Sequence, residues 1–453
     1  MNKEQHIEPF DIAHIFLLDR YAESQHGKGI LKLRFWQRGF YHYEGGCFHA
    51  VSDGEIKAEL AEYLHEKDIT LSSQKINLTM LCLQRKTRTL RGTELNSWLD
   101  NVNGARVLPA ANGNISFSDI DNEGRNRLLL HTPQYFTLTK LPYNYDPDAE
   151  CPDWLIFLND VMMGRKDYIL LLQQWCGYLF RPDLREQKFL LCTGDGANGK
   201  GVFFEVVQAL VGEENCSQVG LSRFNNPFAL YETLGKVVNL TNESSHIIED
   251  EAENVLKSIV AGDRFTFERK FRQAISARPT AKIMISTNSL PRFNDKTLGV
   301  WRRILLVPFD KTISEGAQVK RLAELLKKEL PGILNWALEG MKNLNEAGRF
   351  TIPETNVDLI EQYRRDSDPA RAFLLENYTT SPNAASIACS QLFGEYKTFC
   401  DENGCRPMNN RTFGQQVRRI FPDTERSRIG SKQAERKWIY KGLVSQASQE
   451  IPI

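Results

Sequence analysis

A glycine-rich segment at residues 194–201, GDGANGKG, has the residue types needed to hold a phosphate group. It follows the apolar run KFLLCT and precedes apolar residues at helical spacing from Val202. Glycines let backbone N–H groups turn towards a phosphate, a helix amino terminus adds a favourable dipole, and lysine neutralises the β- and γ-oxygens. The spacing predicts a P-loop that binds nucleoside triphosphate through Gly194, Gly196, Asn198, Gly199, Lys200 and Gly201.

The ligands for the metal ion that accompanies such a nucleotide depart from the common pattern. Gly201 stands where P-loops usually carry the Ser or Thr that ligates Mg²⁺. The apolar run VVNL, at 237–240, is followed by Asn242 and Glu243, which we predict to hold Mg²⁺, directly or through water. Glu243 is also the predicted base that polarises the attacking water. An isolated glutamate at a strand end is usually only solvated, but the spacing of Glu243 from the P-loop along the chain favours a catalytic role.

Three further residues complete the predicted hydrolytic site. Asn288 follows a predicted strand at 282–286 and could orient the γ-phosphate or the water through its amide. Arg302 and Arg303 precede the apolar run ILLVPF, and a guanidinium can neutralise charge on a transferred phosphoryl group. Such an arginine is commonly donated by a neighbouring subunit, which predicts an oligomer. The alternative is that both arginines are a solvated strand start.

These elements, in this order, resemble superfamily 3 helicases of the AAA+ class, specifically the helicase half of phage and plasmid primase-helicases and the poxvirus-primase-like group. The resemblance covers residues 100–345 and is carried by GANGK (196–200), VVNLTNE, KIMISTNSLPRF and WRRILLVPF. Gly201 and Asn242 depart from the family pattern. The resemblance implies ATP and Mg²⁺ as cofactors, a hexameric ring, and 3′ to 5′ movement on single-stranded DNA that unwinds a forked duplex.

Between the acid and the sensor strand, residues 262–282 predict a β-hairpin. In the viral helicases that the chain resembles, a hairpin at this place enters the central channel with a lysine beside a ring-bearing residue. Lys270 and Phe271 match that pair, with Arg272 next to them. An ammonium on phosphate and a ring on sugar or base bind DNA without selecting a sequence. Alone, the segment would more often be an exposed hairpin face.

The carboxy-terminal segment is locally basic. Residues 406–441 contain ten basic residues against three acidic ones. Arg411, Arg418 and Arg419 fall on a predicted helix, and Lys437 on a following ribbon. A helix followed by a basic ribbon is typical of a winged-helix-like DNA-binding module.

We therefore predict an α/β protein built around an AAA+ P-loop domain with a parallel sheet. The predicted domains are an α+β accessory domain with one helix at 55–64 (1–135), a helical collar (136–187), the AAA+ domain (188–345), an irregular polar linker (346–370) and the winged-helix-like module (371–445). Two rival functions remain open: an ATP-assembled DNA-binding initiator or scaffold with weak turnover, and a P-loop ATPase acting on protein or in defence.

Composition limits the remaining possibilities. Lys plus Arg and Asp plus Glu each total 57, so any nucleic-acid surface must be local. No apolar run is long enough to span a bilayer, and we expect a soluble, cytoplasmic protein with no membrane partner. The nine cysteines are expected to be reduced. Asp119 and Asp121 lack a third acid for a primase centre, so a primase or replication initiator would be a separate partner.

Overall fold

The computed structural model describes residues 8–25, 28–100, 106–120, 124–243, 248–270, 272–293, 299–381, 386–405, 407–429 and 437–446. Phe271 lies outside the described residues, and only the backbone of Glu243 and of Arg272 is described. The chain divides into two compact units. The first comprises Met1–Pro291 with Arg302–Pro353, and the second comprises Arg292–Trp301 with Glu354–Ile453.

The first unit begins with small antiparallel sheets and helices. The prediction of one helix here was wrong, because two more helices are present. Ile12, Phe16 and Leu17 are buried on the first of these, and Met80 and Leu83 are buried on the other. The elements are α1 (Pro9–Tyr21), β1 (Ala22–Gln25), β2 (Lys28–Leu31), β3 (Leu33–Trp36), β4 (Gly39–Glu44), β5 (Cys47–Val51), α2 (Asp53–Glu66), α3 (Ser73–Thr87), β6 (Ser97–Trp98), β7 (Val107–Ala110), β8 (Gly113–Ile120), β9 (Asn126–Leu129) and β10 (Tyr135–Phe136).

Two apolar helices follow, α4 (Pro152–Val161) and α5 (Lys166–Leu179). Trp154 and Trp175 are fully buried in the main core of this unit. Burying such side chains stabilises the fold by a few kcal/mol each, at ~25 cal/mol per Å² of apolar surface. Both helices lie inside the segment 136–187. Their assignment as a collar stays a prediction.

A five-stranded parallel sheet forms the centre of the unit, as predicted. Its spatial order is β12-β13-β16-β11-β17. Strand β11 is buried along most of its length, as is usual for a strand inside a parallel sheet. The elements are β11 (Phe189–Thr193), α6 (Lys200–Val211), β12 (Cys216–Ser217), α7 (Pro227–Leu230), β13 (Val238–Glu243), α8 (Asp250–Ala261), β14 (Phe265–Arg269), β15 (Arg272–Ala277), β16 (Lys282–Thr287) and β17 (Ile304–Pro308).

The unit ends with α9 (Leu322–Leu326) and α10 (Leu330–Ala347). The sequence predicts a helix over 318–329, which was wrong in extent. Arg321 adopts a left-handed conformation, φ 59°, that an α-helix cannot include, so α9 begins only after it. Residues Lys327–Glu329 then form a tighter 3₁₀ turn before α10.

The second unit contains helices and short strands around its own core. Part of the predicted irregular linker is the helix α11, which buries Tyr363. The elements are α11 (Glu354–Ser367), α12 (Pro369–Asn377), β18 (Tyr378–Thr380), β19 (Ile387–Ala388), α13 (Cys389–Glu402), α14 (Asn410–Ile420), β20 (Glu425–Ile429), β21 (Lys437–Lys441) and β22 (Leu443–Ser445). The assignment of this unit as a winged helix stays a prediction.

Among the described residues, no helix combines the length and the apolar character needed to cross a bilayer.

Candidate functional site

The predicted site residues meet at one edge of the parallel sheet. Thr193 at the end of β11 pairs with Thr287 at the end of β16, and Thr287 pairs with Glu243 at the end of β13. Because parallel strands present their carboxyl ends at the same edge, the P-loop, Asn242–Glu243 and Asn288 all start from this edge. Open α/β sheets bind ligands at such an edge.

The P-loop is fixed by the chain that returns after β17. The Asn198 side chain donates to the Phe309 carbonyl oxygen at 3.1 Å, and the Ile313 N–H donates to the Ala197 carbonyl oxygen at 2.7 Å. Gly199 has φ 86°, and a Cβ there would lie 2.6 Å from Val161 Cγ1 in α4. Only glycine therefore fits between the loop and α4.

Lys200 is the buried cation of the site, with 4% of its surface exposed. Its ammonium donates to the Gly194 carbonyl oxygen and, at 3.3 Å, to Asn288 Oδ1. Burial lowers the pKa of Lys200 from its ordinary value. The oxygens that accept hydrogen bonds from this buried ammonium are neutral, so it is well placed to bind an anion.

A cavity of about 500 Å³ opens beside the loop. It is lined by Gly196 and Lys200 of the loop and by Asn288. The sequence did not predict a further part of the cavity wall, because the residues that form it come from distant segments and carry no motif. They are Phe157, Asp160 and Val161 from α4, and Ile313, Gln318, Val319 and Leu322 from the chain after β17. The cavity has the volume of a ligand site and an apolar side that a base could contact.

The donors present fit a bound nucleotide better than a metal held by protein alone. Asn242 is exposed at the end of β13, and only the backbone of Glu243 is described. The described residues contain no cluster of three or more His, Cys, Asp or Glu that could hold a metal ion. Gly201 offers no side-chain oxygen. Mg²⁺ at this site would therefore be held mainly by phosphate oxygens and water.

Gly201 gives a direct test of this arrangement, because a Cβ added there has no neighbour within 4 Å. We expect Gly201→Ser to supply the missing hydroxyl without strain. A gain of about 1 kcal/mol in metal binding would lower the Mg²⁺ concentration for half-maximal ATP hydrolysis roughly fivefold. A magnesium titration of phosphate release measures it.

Gly201→Ala is the matched control, since it adds the Cβ without the hydroxyl. Equal magnesium requirements for the serine and alanine variants would contradict the prediction.

The two predicted arginines lie at the amino ends of the strands, opposite the carboxyl ends where the P-loop begins. Ile304, which follows them, pairs with Phe189 at the amino end of β11. Strand β17 has five residues, so at ~3.3 Å per residue about 16 Å of strand separates Arg303 from the P-loop edge. Neither arginine reaches the P-loop of its own chain. Arg303 is buried and lies 3.4 Å from Gln187 Oε1, whereas Arg302 is exposed.

The predicted hairpin is present as the antiparallel pair β14–β15. Its base is anchored by Phe267 and Ile275, which are fully buried. Arg269 packs on the Tyr231 ring at 5.6 Å and bonds the Gln273 carbonyl oxygen, so it is held in place. Lys270 lies exposed at the turn.

In the second unit, Arg418 and Lys437 line one depression, whereas Arg419 does not. The exposed Trp438 ring belongs to the same surface and is covered by the Arg426 guanidinium at 4.5 Å. Asn409 caps the amino end of α14 by accepting from Thr412 N at 3.0 Å. The depression thus combines guanidinium groups, an ammonium and an indole.

Comparison with known families gives three partial matches. Residues 28–163 match the family described as D5 N terminal like, and residues 192–303 match a family of unknown function, DUF5906. Residues 368–447 match the RFX DNA-binding domain. The P-loop and the basic depression fall in different matched segments.

Viral proteins named as helicases are among the relatives. The chain is 25% identical over 179 residues to "Putative helicase L207/L206" of Acanthamoeba polyphaga mimivirus, covering 38% of the chain and 18% of that protein. It is 22% identical over 271 residues to "Putative helicase 121R" of Invertebrate iridescent virus 3, covering 52% of the chain and 29% of that protein. An uncharacterized mitochondrial protein, ymf21 of Marchantia polymorpha, is 32% identical over 108 residues, 21% of the chain and 60% of that protein. The chain thus spans less than two thirds of each of these relatives.

Among solved structures, the apo form of the NrS-1 C-terminal region has the same overall fold. The TM-score is 0.57 at 11% identity, over 96% of this chain and 99% of that one. The chain is thus similar in part to the D5-like family and to viral proteins named as putative helicases, and it shares a fold with the NrS-1 C-terminal region. The narrower assignment to superfamily 3 stays a prediction.

Proposed function

We propose that this chain is an ATP-dependent DNA helicase of the phage, plasmid or mobile-element type, and a member of superfamily 3. It forms a ring, moves on single-stranded DNA and unwinds duplex DNA. Its substrate is a fork, and its cofactors are ATP and Mg²⁺.

The observation that carries the proposal is that one compact unit holds both the cavity beside the P-loop segment and the β14–β15 hairpin. Lys200 is buried beside the cavity, and Lys270 is exposed at the hairpin turn. The two viral relatives named as helicases support the same activity.

In this proposal the chain's own residues bind and orient. The backbone of the P-loop and the Lys200 ammonium hold the phosphates, and Asn288, already 3.3 Å from Lys200, positions the γ-phosphate or the water. Glu243 accepts the proton of the attacking water. ATP supplies the phosphoanhydride bond whose hydrolysis drives the movement.

The site is completed by a second copy of the chain. Arg302 is exposed at the edge of the sheet remote from its own P-loop, so it serves the nucleotide of a neighbouring subunit. The number of subunits, six, comes from the family resemblance.

The second unit anchors the ring on duplex DNA, acting as a winged helix with α14 as its recognition helix. Its similarity to the RFX DNA-binding domain and the depression that holds Arg418 and Lys437 support this role. A separate primase or initiator would act with the ring.

A second candidate is an ATP-assembled initiator or scaffold that turns over slowly. Gly201, which offers no ligand, and the neutral Asn242 favour it. DNA-stimulated phosphate release separates the two functions. A helicase loses this release on Glu243→Gln, whereas a scaffold has negligible release that the substitution does not reduce.

Unwinding of a labelled forked DNA tests the proposed function. We expect Lys270→Ala to reduce unwinding at least about tenfold and to remove DNA stimulation of ATP hydrolysis, because every subunit of the ring then lacks the ammonium that binds a DNA phosphate. Hydrolysis without DNA should be unchanged, since Lys270 does not line the cavity.

Lys342→Ala, which removes another exposed lysine of the same unit, is the control and should unwind normally. An ATPase that acts on protein would show no unwinding in the wild type. Full unwinding by Lys270→Ala would contradict the role given to the hairpin.

A further inference from the structure

A groove of about 660 Å³ in the amino-terminal region has no role in the proposed hydrolysis. Its wall includes the exposed side chains of Arg38, Arg85, Arg88 and Arg91. No Asp or Glu is among the described residues that line it, and within the described residues none of the four arginines forms an ion pair with a carboxylate. In a chain with zero net charge, such a group of unpaired cations marks a local anion-binding surface.

The backbone that carries these arginines is fixed. The Trp36 indole donates to the Thr93 carbonyl oxygen at 2.8 Å, and Thr89 N–H donates to the Phe35 carbonyl oxygen at 3.1 Å. Arg88 forms a parallel bridge with Phe35. The segment after α3 is therefore held along β3, and its arginines are presented from a rigid support.

The turn that presents Arg38 is strained. Gln37 and Arg38 join β3 to β4 with φ 45° and 63°, a conformation that usually takes Asn-Gly or Gly-Gly. Such strain concentrates at functional positions.

Apolar surface lies beside the charges. Leu81 and Leu90 line the groove with 54% and 57% of their surface exposed, and Leu78 with 45%. Guanidinium groups beside apolar surface suit a single nucleic-acid strand, whose phosphates bind the arginines while sugars and unpaired bases contact the carbon surface.

The groove adjoins the base of the hairpin. The Gln37 side-chain amide donates to the Ser276 carbonyl oxygen in β15 at 3.0 Å. Trp36, below the groove, shares one buried cluster with Phe267 and Ile275 of the hairpin. A strand held at Lys270 therefore has a charged surface within the same unit on which to continue.

We propose that this groove is a second binding site for single-stranded DNA, using Arg38, Arg85, Arg88 and Arg91 to hold the strand on one side of the hairpin. The choice of DNA as the anion rests on the proposed function. Among the described residues, the groove shares no lining residue with the cavity beside the P-loop.

Binding of a fluorescent oligo-dT to the full chain, followed by anisotropy over a range of salt concentrations, tests the proposal. We expect the double variant Arg88→Gln, Arg91→Gln to lose about tenfold in affinity at ~0.1 M salt. The slope of log affinity against log salt should fall by roughly 1.4, because each phosphate that is no longer neutralised changes it by ~0.7. ATP hydrolysis without DNA should be unchanged.

The matched control is Arg20→Gln, Lys67→Gln, which removes the same charge from side chains of this region that already pair with Glu66 and Asp19. Equal affinity and slope for the two double variants would overturn the groove proposal. Displacement of the fluorescent oligo-dT by poly-glutamate but not by unlabelled oligonucleotide would also overturn it. In the first case the proposed function stands if Lys270→Ala still weakens binding. A wild type that binds no DNA would overturn both proposals.

Discussion

We expect Lys200→Met to lose ATP hydrolysis, with turnover falling about 10²- to 10³-fold. The ammonium of Lys200 is buried, and its partners are the Gly194 carbonyl oxygen and Asn288. Methionine fills similar space without the charge, so the fold should persist while the β- and γ-oxygens lose their cation. Steady-state phosphate release, with thermal unfolding measured in parallel, gives the result.

The control is Lys327→Met, which removes a lysine paired with Glu205 at 2.7 Å, outside the described lining of the cavity. It should hydrolyse ATP at the wild-type rate. Retained turnover in Lys200→Met, with normal folding, would show that the P-loop segment has another role.

Arg302→Ala should reduce ATP hydrolysis on the order of 10³-fold, as expected for an arginine that neutralises the transferred phosphoryl group. Since Arg302 lies at the edge of the sheet remote from its own P-loop, the proposed role requires that it act on the nucleotide of a neighbour. Mixing Arg302→Ala chains with Lys200→Met chains should therefore restore activity. With random mixing about one interface in four has both an intact loop and an intact arginine.

Arg303→Ala separates this role from a structural one. Arg303 is buried beside Gln187, so its loss should lower the unfolding temperature. Failure of the mixture to exceed the activity of either variant alone would exclude an arginine acting between subunits.

The sequence predicted the structural elements of the candidate site that depend on local patterns. The P-loop glycines, the strands that end at Glu243 and Thr287, and the turn at Lys270 each follow from a short segment whose period or composition is distinctive. Alternating apolar strands and helices also indicated the parallel sheet, which the structure confirms.

The features that the sequence did not predict depend on contacts between distant segments. Helices α1 and α3 were missed because each buries only part of one face, against the other and against β3. The wall formed by Phe157 and Val319 appears only when α4 and the chain after β17 fold over the P-loop. Three arginines of the amino-terminal groove lie in the basic window 85–91, but only the fold places them on one surface with Arg38.

In the proposed helicase, the anchoring of the hairpin limits how force can reach DNA. Phe267 and Ile275 are packed with Trp36 in a solid cluster, and Gln37 ties the second strand to the same region. Rotation of the hairpin relative to its own base would break that cluster. Movement driven by ATP would therefore have to displace whole protomers relative to one another, and each hairpin would move with its protomer as a rigid part.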